Sequence, residues 1–329
     1  MECASDTSFL SSPDFLLLSC HILLFLDVPL FFYGAYCILF KTPYSMSSVK
    51  WLMFNLHIWS TILDLTLTLF GVPYILLPFP AGYGLGLIDA PEAMVYVGLI
   101  IVTAVDASIV LIYENRYFML YARDSYWARV RKPCLAGIFI FTFCLCQPPF
   151  LLIPDQPTAR KLVLDNLPCF QTFSFENREM FVLSTSWELP LIFLTVGFFI
   201  LAPPFLSFFT LTFYHLMKSS TSVSFKTQKL QRQIIKALTL QSSFLIINIL
   251  GPFFGIVITM ILQYHHQGLN NLLFLVLSLH GIGSTIVLVL VHKPYREFTF
   301  YAICGRFKYP RCKQPRLFNS SFLAVRVTF

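Results

Sequence analysis

Long apolar runs recur from one end of this chain to the other, and they restrict the folds open to it. The hydrocarbon core of a bilayer takes about 20 consecutive apolar residues in a helix. Seven stretches of that scale read as spans: 15–40, 51–78, 93–121, 133–153, 188–217, 234–262 and 272–291. The balance of residues agrees: 57% are hydrophobic and 12% charged, where a soluble domain carries about 25% charged. The expectation is an all-α membrane protein, a seven-transmembrane helix bundle over residues 15–291. A 1–14 segment precedes it, and a 292–329 segment follows.

Charge placement orients that bundle. Residues 1–14 hold no Lys or Arg, and the first apolar run is too long for a signal-peptide core, so it reads as a retained helix. Connectors 79–92 and 263–271 are also free of Lys and Arg, while connector 154–187 has three against four acids. The other 20 of the 23 basic residues fall on the opposite side. Basic residues stay cytoplasmic, which puts the N-terminus outside and the C-terminus inside. The net charge of +7 is this bias and not a nucleic-acid footprint. The segment HKPYREFTFYAICGRF (292–307) reads as a short amphipathic helix lying on the inner face of the lipid bilayer. Cys304 within it is a candidate for palmitoylation, or an ordinary juxtamembrane cysteine.

Catalytic and metal constellations are lacking. Nine cysteines are scattered with no CxxC, HExxH or metal-ligand spacing, so neither a metal nor a cofactor is expected. Paired carboxylates of an intramembrane aspartyl protease would share a proton, but GLGLID (84–89) spaces Asp89 wrongly and lies in a loop. No enzyme activity is expected.

Asp27, Asp64 and Asp106 fall near the middles of their spans, where a carboxylate is costly and faces the bundle interior or water. Asp64 and Asp106 are the candidate intramembrane polar or ion sites. Asp106 lies ten residues before Arg116, about 15 Å along a helix, which reads as too deep for an extracellular ligand. The candidate ligand contacts are Tyr96, Leu99, Ile100 and Thr103. Prolines recur inside spans, and NILGPFFG (248–255) makes Gly251 and Pro252 a candidate hinge in the sixth.

The stretch YENRY (113–117) interrupts the end of the third span with Glu114, Asn115 and Arg116 together. Two residues apart on a helix, Glu114 and Arg116 do not face each other, so both are poised to choose partners on neighbouring helices.

These features resemble a G-protein-coupled receptor with a variant of the D-R-Y triplet. KTPYSMSSVKWLMFNLHIWSTILDLTLTL (41–69), PYILLPFPAGYGLGL (73–87), YENRY, LPCF (167–170) and HKPYREF (292–298) narrow the resemblance to the nematode chemoreceptors called serpentine receptors, class H. The resemblance implies a sensory-neuron receptor, in cilia of the plasma membrane, coupling a small chemical ligand to a heterotrimeric G protein. It makes Arg116 the arginine of the G-protein cavity, with Glu114 as its nearby acid, and Asp64 a second-helix acid where sodium can bind. The chain departs from rhodopsin-like receptors in lacking NPxxY, an asparagine in the first span and a cysteine opening the third. Cys169 is therefore left with Cys3 or Cys20, or free.

The ligand pocket is expected between spans 3, 5, 6 and 7, apolar and rich in aromatics, and the ligand small and apolar. The inner connectors RDSYWARVRK (123–132) and KSSTSVSFKTQKLQRQ (218–233) would dock the G protein. The alternative is a seven-helix ligand-gated channel subunit of the insect odorant receptor type, whose inverted topology the basic residues oppose. A transporter would show an inverted repeat, and none is visible.

Overall fold

A computed structural model describes residues 8–145, 147–167, 178–217 and 225–306. Helix α1 (Pro13–Lys41) opens on standard signals: the Ser12 hydroxyl accepts the Phe15 amide at 3.1 Å, Pro13 takes the first turn and Asp14 follows. Helix α2 (Ser47–Leu65) runs into a wider turn over Thr66–Phe70, closed by the Gly71 amide on the Thr66 carbonyl at 2.9 Å. The second span thus ends at Phe70 and not at residue 78. Beyond it Val72 takes a positive φ of 37°, rare for a β-branched residue, and the chain turns into strand β1 (Pro73–Ile75).

Strand β2 (Ala81–Gly84) pairs antiparallel with β1, Tyr74 opposite Tyr83. Helix α3 (Pro91–Tyr117) follows, again with proline first and an acid, Glu92, in its first turn, and continues as a wider turn through Ala122. Next come α4 (Trp127–Leu145), the single turn α5 (Pro148–Leu151) and α6 (Gln156–Asn166), which the Asp155 carboxylate caps. Strand β3 (Phe181–Val182) completes the sheet beside β2. To the expected helical architecture the structure adds a small three-stranded sheet built from two connectors.

Helices α7 (Glu188–Met217) and α8 (Phe225–Ile261) follow. The last span is broken: α9 (Gln267–Ser278) stops, Leu279 leaves helical geometry, and α10 (His280–Val291) restarts. Helix α11 (Lys293–Arg306) lies past it.

Six helical segments among the described residues are long and apolar enough to cross a membrane. The exception is α4, which opens on Arg129, Arg131 and Lys132, so that its apolar part begins only at Pro133. With α4 as the fourth, the arrangement is that of a seven-helix bundle. Burial is inverted relative to a soluble protein. Phe25, Phe32, Phe199 and Ile247 are each at least 66% exposed, whereas Asp64, Asn271, Ser278 and His280 are buried. A lipid-facing surface accounts for both halves of that inversion, since lipid solvates hydrocarbon and leaves polar groups to pair inside.

Packing centres on α3 and α10: α3 lies against α2 and α7, and α10 against α1, α2 and α8. The sheet sits across one end of the bundle. Side chains opening α9 fasten it there, with Gln267 donating to the Ile75 carbonyl at 3.1 Å and Asn270 to that of Leu77 at 3.3 Å. Tyr74, fully buried, donates to the Ser11 carbonyl at 2.5 Å. Gln156 brackets Val182 with two hydrogen bonds, and Arg178 donates to the carbonyls of Gly84 and Gly86. Close approach explains one glycine: a Cβ on Gly82 would meet the Tyr74 carbonyl oxygen at 2.4 Å.

Candidate functional site

Beneath the sheet lies a cavity of about 610 Å³ between α2, α3, α7, α8 and α9, within the usual range of small-molecule sites. Its walls are aliphatic and aromatic. Leu99 and Val102 of α3 face Phe193, Phe198 and Phe205 of α7 and Phe253 of α8, and Tyr83 and Phe181 of the sheet lie over one end. Two of its helices carry internal prolines, Pro203 and Pro204 in α7 and Pro252 in α8, each of which removes a backbone donor.

The four ligand contacts expected from α3 divide by helix face. Leu99 and Thr103 line the cavity, and Tyr96 and Ile100 do not. Tyr96 turns toward the fourth span, donating to Gln147 Oε1 at 3.0 Å and packing edge-on to Phe150. Asp106, read from sequence as too deep for a ligand, lines the cavity as well. The lining follows α3 down to Val110 because small residues, Gly98 and Gly197 among them, leave room below the sheet.

Asp64 does something the sequence did not show. Its Oδ2 accepts the amides of Gly281 at 2.8 Å and Ile282 at 3.2 Å, so it caps the restarted helix α10 from across the bundle. A carboxylate at a helix N-terminus also meets the positive end of the helix dipole. The other oxygen, Oδ1, is buried without a hydrogen-bond partner among the described residues, as are Asp27 Oδ2 and His280 Nδ1. Near these acids Asn55 donates to Ser108 at 2.7 Å, linking α2 to α3.

At the opposite end of α3 the polar triplet spreads over three directions. Glu114 is fully buried and pairs with Arg131 of α4 at 2.6 Å, and the Trp127 indole donates to its other oxygen at 2.7 Å. The Arg131 guanidinium stacks on Phe118 at 3.8 Å. Asn115 donates to the Ser48 carbonyl at the start of α2. Arg116 is 7% exposed, and its Nε and Nη2 have no hydrogen-bond partner among the described residues. The expectation that Glu114 is the acid beside Arg116 is therefore corrected. Two residues apart, they point to different neighbours, and a basic residue of the next helix supplies the partner.

Sequence reading also missed His292 and Gln241. Their side chains meet at 3.2 Å, both buried, joining the end of α10 to α8. Burial, with the Arg116 cation nearby, lowers the His292 pKa to about 4. The Tyr113 ring packs edge-on against Phe205 and Phe209 of α7. Gly251 and Pro252 sit within the continuous helix α8, with open space around the glycine. The side chain of Cys304 lies outside the described residues, as do Cys3 and Cys169, and Cys20 is a free, buried thiol. No metal-binding cluster occurs among the described residues.

Comparison with known proteins agrees with this architecture. Residues 11–305 match the family described as serpentine type 7TM GPCR chemoreceptor Srh. Serpentine receptor class H-72 of Caenorhabditis elegans is 28% identical over 315 residues, covering 90% of this chain and 88% of that protein.

Proposed function

The chain belongs to the Srh family of serpentine seven-transmembrane chemoreceptors, and on that premise we propose that it carries an external chemical cue to a heterotrimeric G protein. The cue is small and mostly apolar and binds in the cavity beneath the sheet. The observation that carries this reading is that one helix serves both ends. α3 lines the cavity as far as Val110, and Arg116 follows within two turns, buried and unsatisfied at two nitrogens. A ligand that shifts α3 relative to α7 and α8 moves Arg116 with it.

In this reading the basic-residue asymmetry puts the sheet outside and Arg116 inside, in the plasma membrane and, by family, in the cilia of sensory neurons. The same asymmetry opposes a channel of inverted topology. Binding biases a two-state bundle. The inner half of α8 swings about Gly251 and Pro252, the His292–Gln241 contact yields, and Arg116 becomes available to the G protein. The basic connectors 123–132 and 218–233, of which 218–224 lie outside the described residues, are the expected docking surface, and α11 lies against anionic lipid.

The test is expression of the full chain in cells with a range of Gα subunits, an N-terminal tag and a broad chemical panel. We expect the tag to be reached from outside intact cells. We also expect ligand-stimulated nucleotide exchange that Gly98→Phe abolishes without loss of surface protein, because Gly98 lines the cavity and a Cβ there meets open space. A hidden tag, or exchange indifferent to Gly98→Phe, would overturn the reading.

A further inference from the structure

Asp106 is the only charged side chain among the described residues that line the cavity. The wall's two threonine hydroxyls are turned to their own helices, Thr66 donating to the Ile62 carbonyl and Thr103 to that of Ile100, each at 2.7 Å. No described residue donates a hydrogen bond or an ion pair to Asp106. Asp64 takes two amides and Glu114 takes an indole and a guanidinium, while Asp27, buried with an unpartnered Oδ2, does not line the cavity. Asp106 alone faces empty space walled by hydrocarbon.

Resting on the reading of this cavity as the ligand site, we infer that its ligand is a small, largely apolar amine whose ammonium group pairs with Asp106. An ionised carboxyl in apolar surroundings is costly until an opposite charge reaches it. The protein supplies no such charge among the described lining residues, so the ligand is what completes the pair. An inorganic cation fits poorly, because hard cations want several oxygen ligands and the surrounding wall is mostly carbon. An amine needs few acceptors, and the rest of its coordination is already present. Phe198 and Phe205 line the same cavity, and aromatic rings attract a cation, while the ligand's hydrocarbon part extends toward the sheet.

Geometry sets the orientation. The lining runs along α3 from Pro91 to Val110, roughly 28 Å at about 1.5 Å per residue. Asp106 lies near the end away from the sheet, about 22 Å below Pro91 on the same scale. The amine therefore points inward, with its hydrocarbon part extending from Asp106 along the cavity toward the sheet. That places the ligand's charge on the stretch of α3 that continues directly to Arg116.

The experiment compares matched pairs on the purified full-length receptor, 2-phenylethylamine against 2-phenylethanol and cyclohexylamine against cyclohexanol, at pH 7.4. Binding is read as the concentration that raises the thermal unfolding midpoint, in the wild type, Asp106→Asn and Gly98→Phe. The wild type should bind each amine about 10- to 100-fold more tightly than its alcohol, the scale of a charge-assisted hydrogen bond. Asp106→Asn should erase that preference and Gly98→Phe should erase binding of both. Equal binding of amine and alcohol to the wild type, lost in Gly98→Phe, would sink the amine inference and leave the cavity as the ligand site. Amine stabilisation that persists in Asp106→Asn, or a shift produced by sodium alone, would also overturn the inference. Failure of Gly98→Phe to change any binding would remove the cavity reading itself.

Discussion

Arg131 Nη2 stands 2.6 Å from Glu114 Oε2, and the carboxylate it meets is fully buried while the guanidinium is 21% exposed. The two partners are thus unequal. If Glu114 is neutralised, Arg131 can reach water and keep its stacking on Phe118. If Arg131 is removed, a buried carboxylate keeps only the Trp127 indole. Arg131→Gln should therefore destabilise by about 3 kcal/mol or more, and Glu114→Gln by roughly 1 kcal/mol. Thermal or denaturant unfolding of the purified variants measures the difference, and equal costs would contradict it.

Arg116 presents the opposite case. It is buried with two unpartnered nitrogens, so removing it costs the resting fold little. Arg116→Ala should leave the unfolding midpoint unchanged or raised by a few degrees, about 1 kcal/mol of relief. Ligand-stimulated nucleotide exchange should be lost at normal surface level. Full signalling by that variant would show that the G protein does not use this side chain.

The Asp64 cap can be probed from both sides. Asp64→Ala should cost about 1–2 kcal/mol as a lost N-cap, and Asp64→Asn less, because an acceptor oxygen remains. A Cβ on Gly281 would lie 2.3 Å from Asp64 Oδ2, so Gly281→Ala should destabilise the wild type strongly. The same substitution should cost clearly less in an Asp64→Ala background, where the clash is gone. Additive costs in that cycle would mean that the two groups do not touch.

His292 gives the structure a pH dependence of known sign. Its pKa in the folded state is about 4 against an ordinary 6.5, so the native protein holds it neutral while the unfolded chain protonates it below 6.5. Stability is complete above about pH 6.5, falls as pH drops toward 4, and levels off below that. The unfolding midpoint of the wild type should fall a few degrees more than that of His292→Gln between pH 7 and pH 4.5, on the scale of roughly 2–4 °C per kcal/mol.

What the sequence disclosed follows the reach of each signal. Spans were legible because a bilayer demands long apolar runs, although α1 and α3 start two residues earlier than their apolar runs, at Pro13 and Pro91. The sheet was not, because strands as short as Phe181–Val182 carry no periodicity. Nor was the break at Leu279, since the carboxylate that caps the restarted helix lies 217 positions before Gly281. Glu114 and Arg116 stood out against the apolar pattern, but the Glu114 partners lie beyond α3, on α4. Asp106 was set apart by counting depth along one helix, whereas the depth of a cavity depends on how several helices pack.

The interruption at Leu279 has a consequence for how the seventh span responds to its surroundings. Two twelve-residue rods meet there, and the second begins on amides that Asp64 satisfies. Straightening the joint strips that carboxylate of both donors in a medium that offers no substitute. Dryness of the interior is then what keeps the joint set, and water is its lubricant. Water admitted beside Asp64 would offer the carboxylate other donors, and the angle between α9 and α10 would then no longer be tied to its two amides.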